Sequence, residues 1–169
     1  MKETTDALEL LISQHDEVDM LIEELENSDD ADEKMEIFQE LADKIAAHST
    51  VEEKLFYPSV MAKTTCELLL ESTEEHLSVK RVLADLLEMD PDNDHFDAKV
   101  SVLKDLIHHH AREEEEAELF PKVRKLMSED ELAGLGNEML AMFEMLLERQ
   151  PRMNVPAETS EAAPLEMNF

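Results

Sequence analysis

The chain carries a helical hairpin twice. The string E-L-A-D-K-I-A-A-H, ending at His48, superposes on the string ending in L-K-D-L-I-H-H-H at His110: Leu41 falls on Leu103, Asp43 on Asp105, Ile45 on Ile107 and His48 on His110, an offset of 62. Upstream, H-D-E-V-D-M-L-I-E-E-L from His15 matches H-L-S-V-K-R-V-L-A-D-L from His76 at an offset of 61. Downstream, E-E-K-L-F-Y-P resembles E-A-E-L-F-P once a short insertion is allowed. Apolar residues recur at helical spacing in every copy, as in Leu8, Leu11, Ile12, Val18, Leu21, Ile22 and Leu25. Two such hairpins with short linkers predict an all-α, up-down-up-down four-helix bundle. Two glycines and 4% aromatics agree with a chain poor in turns and strands.

The periodicity predicts helices over residues 5–26, 33–61, 65–89 and 96–127. Ser128 and Glu131 form a capping-box pattern that starts a shorter C-terminal helix ending near residue 149. Pro58 and Pro121 fall inside the second and fourth helices and should kink or end them. Residues 1–149 therefore read as one domain. Residues 150–169, with Pro151, Pro156 and Pro164, read as a disordered tail.

Four of the seven histidines, His15, His48, His76 and His110, occupy repeat-related positions on the apolar sides of their helices. Residues four apart point nearly the same way, so Glu52 joins His48 and Glu114 joins His110. His109 and Glu113 form a competing pair; the repeat favours His110 and Glu114, and leaves the rest of the Glu113–Glu116 run as a solvated face. His95 reads as a surface residue, and Met139, Met142 and Met145 as packing residues. Four imidazoles and two carboxylates in an apolar core need compensation, which two divalent ions would supply.

The strings H-S-T-V-E-E-K-L-F-Y-P and H-H-A-R-E-E-E-E-A-E-L-F-P-K-V-R resemble the hemerythrin HHE family, a resemblance that extends over about residues 5–149. It implies a non-haem di-iron centre of two iron ions, open to an oxo bridge, with His15, His48, Glu52, His76, His110 and Glu114 as metal ligands and both glutamates bridging. Oxygen-carrying members have H-x-x-x-H on the third helix and H-x-x-x-x-D on the fourth. Here Lys80 stands four after His76, and Glu115 five after His110. The departure at Lys80 leaves one iron a histidine short. It points away from oxygen transport and toward the bacterial branch linked to oxygen or redox sensing, nitric-oxide and peroxide chemistry, and iron handling.

A formal net charge of −28 argues against nucleic-acid and anionic-membrane partners. The polar N-terminus, the single cysteine Cys66 and the lack of a spanning apolar stretch lead to the expectation of a reduced, cytoplasmic protein. No P-loop, G-x-S-x-G or G-x-G-x-x-G string suggests nucleotide use or serine hydrolysis. Three functions are then open: a module that captures oxygen, nitric oxide or peroxide, an enzyme that turns such ligands over or releases iron for repair, and a metal-stabilised bundle that docks an unidentified protein.

Overall fold

A computed structural model of the protein describes residues 5–161 and 165. Four long helical rods run up-down-up-down. The first is α1 (Ala7–Asn27). The second is α2 (Ala31–Val51), continued by a π-helical segment, Glu52–Phe56, and by α3 (Tyr57–Val60). The third is α4 (Cys66–Leu87). The fourth is α5 (Phe96–His108), continued by a longer π-helical segment, His109–Leu119, and by α6 (Phe120–Leu126). A fifth helix, α7 (Glu129–Leu147), packs on α1 and α2. Its Gly136 meets the backbone of Thr5 to Ala7 so closely that a Cβ would lie 2.7 Å from the Thr5 carbonyl oxygen.

Local chemistry sets the helix starts. Asp6 and Ser128 form capping boxes with Glu9 and Glu131, and the Asp30 carboxylate accepts from the Glu33 amide. Each cap satisfies a first-turn N–H that has no intrahelical acceptor.

The apolar core is split in two. One cluster holds Leu8, Leu11, Val51, Phe56, Val60, Leu69, Phe120, Val123 and the inner face of α7. The other holds Val18, Ile22, Leu25, Phe38, Leu41, Ile45, Leu83, Leu86, Phe96 and Leu103. In every rod the histidine of the repeat falls where the chain passes from one cluster to the other. Between them lies a buried polar layer.

The two internal prolines neither end nor break their rods. Each occupies the first turn of a new α-segment, where its missing N–H is not needed. The residue just before each makes an i→i+5 bond, from the Tyr57 amide to the Glu52 carbonyl and from the Phe120 amide to the Glu115 carbonyl. The expected kink is thus replaced by a change of winding upstream.

The expected disorder after residue 149 does not hold for residues 151–158. Gln150 turns the chain with a left-handed φ of 50°. A 3-10 turn, Pro151–Asn154, and a short helix, α8 (Val155–Glu158), follow. Pro151 and Pro156 sit in first turns, which proline suits, so they start structure here. Val155 is buried in the second cluster. The Arg152 guanidinium donates to Asp43 at 2.6 Å, and Glu158 pairs with Lys80 at 3.4 Å. Pro164 and the other residues of 162–164 and 166–169 lie outside the described residues.

Candidate metal centre

His15, His48, Glu52, His76 and His110 all reach the polar layer between the two apolar clusters, and each is at least nine-tenths buried. Glu114 does not join them. The fourth-rod carboxylate in the layer is Glu115, fully buried, with Oε1 3.4 Å from His15 Nε2 and 3.2 Å from His110 Nε2. The cause is the π-helical winding after His108: an i→i+5 pattern stacks residue i+5 over residue i, as i+4 is stacked in an α-turn. His48 and Glu52 are separated by α-helical residues, so their i+4 spacing delivers both side chains to the layer. The Glu113–Glu116 run is correspondingly not a solvated face, since Glu114 and Glu115 are buried.

The donors form two groups. His15, His48 and Glu115 make one, and Glu52, His76 and His110 make the other. Each pair of imidazoles comes from a single hairpin, and the carboxylates connect the pairs. Glu52 Oε1 lies 2.7 Å from His48 Nε2 and 3.5 Å from His76 Nε2, while Glu115 reaches both His15 and His110.

All four rings are oriented from outside. His48 Nδ1–H donates to Gln14 Oε1 at 2.7 Å and His110 Nδ1–H to Glu75 Oε1 at 3.0 Å. His76 Nδ1–H donates to Glu53 Oε1 at 2.9 Å and His15 Nδ1–H to Glu116 Oε2 at 2.9 Å. Amide and carboxylate oxygens only accept, so each Nδ1 carries the hydrogen and each Nε2 turns inward. Such outer partners are how proteins fix imidazole ligands. The repeat extends to this shell: Gln14 and Glu75 hold the histidine of their own hairpin, while Glu53 and Glu116 hold one from the other. Sequence reading missed these four residues, although each stands directly beside a ligand candidate in the chain.

Five of the inward atoms lack hydrogen-bond partners. His15 Nε2, His48 Nε2, both Glu52 oxygens and Glu115 Oε1 are buried and unsatisfied. Even the 2.7 Å approach of His48 to Glu52 lacks hydrogen-bond geometry, and His76 Nε2 and His110 Nε2 face each other at 3.0 Å. Buried lone pairs so arranged require positive charge between them, from protons or from cations. In the metal-free protein protons take that role. Burial pulls His15 down, but the Glu115 and Glu116 carboxylates outweigh it and raise it to about 9. His110 is raised well above its ordinary value against the same opposition from burial, chiefly by Glu115. Burial disfavours the Glu52 carboxylate, yet His48 holds it well below the usual range.

Two aromatic residues close the layer on the side of the first cluster. Phe120 stacks on His15 at 6.4 Å and Tyr57 on His76 at 5.5 Å between ring centroids. The Tyr57 hydroxyl donates to Glu115 Oε2 at 3.1 Å and lies 3.2 Å from His76 Nε2. Lys80, four after His76, turns to Glu53 at 3.4 Å and to Glu158.

Donor atoms of this kind suit metal ions. The sequence pattern of the hemerythrin HHE cation binding domain matches residues 6–123. The chain belongs to the hemerythrin HHE family. A hemerythrin HHE cation binding domain-containing protein from Mycobacterium kansasii has the same fold, with a TM-score of 0.75 and 24% identity over 85% of this chain and 88% of that one. A DNA nickase from Nostoc sp. is 27% identical over 135 residues, which are 80% of this chain and 38% of that protein. As in other HHE domains, the buried histidines and glutamates here form candidate cation sites. Among the described residues no helix is long and apolar enough to cross a membrane.

Proposed function

We propose that the polar layer holds two iron ions, with His15, His48, His76 and His110 as terminal ligands and Glu52 and Glu115 as bridges, and offers them to a small diatomic or peroxide ligand in redox sensing or stress response. The observation that carries this reading is a cavity of about 30 Å³ bordered by all four histidines and walled by Val18, Ile45, Val79, Ile107 and Ala111. It has room for a single water-sized molecule, and its apolar walls favour an uncharged one. Iron, when bound, supplies coordination positions and a one-electron couple. The chain orients the imidazoles through their Nδ1–H groups, keeps water out with the two apolar clusters, and keeps a proton at Tyr57 Oη beside Glu115. Lys80 offers nothing to the layer, because its ammonium is engaged by Glu53 and Glu158. Each ion therefore has two imidazoles, which suits reaction better than reversible carriage.

Turnover of peroxide or nitric oxide by the same centre is the second reading, favoured by the buried Tyr57 hydroxyl as a proton source. The DNA contact implied by the nickase's name is not carried over: 43 acidic against 15 basic residues repel a phosphate backbone. The test is anaerobic loading with ferrous iron, then stopped-flow mixing with oxygen, peroxide or nitric oxide. We expect two irons per chain and rapid, irreversible oxidation by oxygen. One iron or fewer, or a long-lived coloured species that reverts when oxygen is removed, would overturn the proposal.

A further inference from the structure

Glu114, displaced from the polar layer by the π-helical winding, faces the other flank of the fourth rod. There it meets Glu75 and His109, and one ligand atom from each of the three lies within 4.8 Å of the others. His109 Nε2 is 3.1 Å from Glu114 Oε1 and 3.4 Å from Glu75 Oε2. His109 Nδ1–H donates to Glu113 Oε2 at 2.6 Å, so its second nitrogen is turned toward the two carboxylates. This is the arrangement of core His15: an outer carboxylate accepts from Nδ1–H, and Nε2 faces an inner carboxylate without hydrogen-bond geometry. The Glu114 side chain is nine-tenths buried, and its Oε2 has no partner at all. An unpaired buried carboxylate oxygen calls for a cation or a proton.

The repeat shows that these residues are not a by-product of the hairpin. The first hairpin has Gln14 where the second has Glu75, Ala47 where it has His109, and Val51 where it has Glu114. Ala47 and Val51 are core residues with no exposed surface. One half of the molecule thus has two apolar groups and an amide where the other presents an imidazole and two carboxylates. His109 is about half exposed, which leaves the cluster open to solvent.

We propose that Glu75, His109 and Glu114 bind a third divalent cation of the first transition row, on the flank of the bundle beside the core layer. Such ions take one imidazole and two carboxylates readily. Glu75 joins the two sites, because its Oε1 accepts from the core ligand candidate His110 while its Oε2 faces the flank. The flank site lies outside the core layer and shares only Glu75 with it. It stands whether or not the core holds iron.

The probe is Co²⁺, titrated into the iron-loaded full chain in excess Mg²⁺, which occupies the simple acidic surface. Bound cobalt is read by metal analysis and by its visible absorption. The wild type should bind about one more equivalent than His109→Ala, with the iron content of the two proteins equal. Glu114→Gln should lose the same equivalent, which guards against misfolding of either variant alone. The difference between wild type and His109→Ala counts only the flank ion, so failure of the di-iron reading would appear separately, in the iron content. Equal cobalt binding by the wild type and both variants, or no saturable cobalt in the wild type, would overturn the proposal. The cluster would then hold a proton.

Discussion

Each core imidazole has one nitrogen assigned to an outer acceptor, so a single residue decides what the other nitrogen can bind. Glu115 and Glu114 are neighbours in sequence with different surroundings. The Glu115 carboxylate lies between His15 and His110, whereas burial, with Glu75 adding to it, raises Glu114 to about 8. Glu115→Ala should therefore strip at least one iron per chain, and Glu114→Ala should leave both, as read by colorimetric iron analysis. The reverse result would restore the i+4 assignment made from sequence. Protonation gives a second expectation. His15 is raised from 6.5 to about 9 in the metal-free protein. A group raised on folding stabilises the fold fully below its unfolded value and loses that contribution as pH climbs through its folded value. For His15 the contribution is about 3 kcal/mol, present below pH 6.5 and lost through pH 9. A metal ion must displace this proton, so apparent affinity should climb between pH 7 and 9, by up to about tenfold per pH unit for each proton released. Chelator competition at three pH values checks this, and a flat profile would refute it. An isolated histidine would have placed the competition near pH 6.5; the buried carboxylates move it upward.

The elements were legible to different depths. Helix count, order and the repeat could be read directly, because apolar spacing and capping residues are local signals. So could five of the six residues that reach the layer. The sixth depended on winding. His48 and His110 are 62 apart, but Glu52 and Glu115, like Pro58 and Pro121, are 63 apart. One extra residue lies between the last histidine and its proline, and a helix absorbs a single insertion as i→i+5 turns. Aligning the copies on their prolines would have selected Glu115; the strong i+4 habit of α-helices concealed it. Deleting Glu113, an exposed residue that pairs with His109, should restore α-helical winding and put the Glu115 carboxylate four residues after His110. We expect that variant to keep two irons, with an unchanged or higher melting temperature. Loss of an iron would show that the wide turns are themselves needed. The segment after Gln150 was illegible for another reason. Its order rests on Arg152, whose partner Asp43 lies 109 residues away, and on Val155, buried among residues of distant helices.

In the whole molecule the two hairpins are near copies, yet their outer residues differ in charge. Around the first ion site stand Gln14, which is neutral, and Glu116, which pairs with Arg112 at 2.7 Å. Around the second stand Glu53, paired with Lys80, and Glu75, whose ion-pair partners are both histidines. A carboxylate with no lysine or arginine partner thus lies beside His110, where His48 has an amide. An electron is easier to remove where negative charge is closer. The two ions would then give up their electrons unequally, the one held by His76 and His110 first. In protein free of added cations, Glu75→Gln should raise the lower of the two one-electron potentials and bring the pair closer together in a potentiometric titration. An unchanged separation would mean that the twin hairpins present the two irons with equal surroundings. A narrowed one would mean that a single carboxylate, where the other copy has an amide, sets the order in which the centre is oxidised.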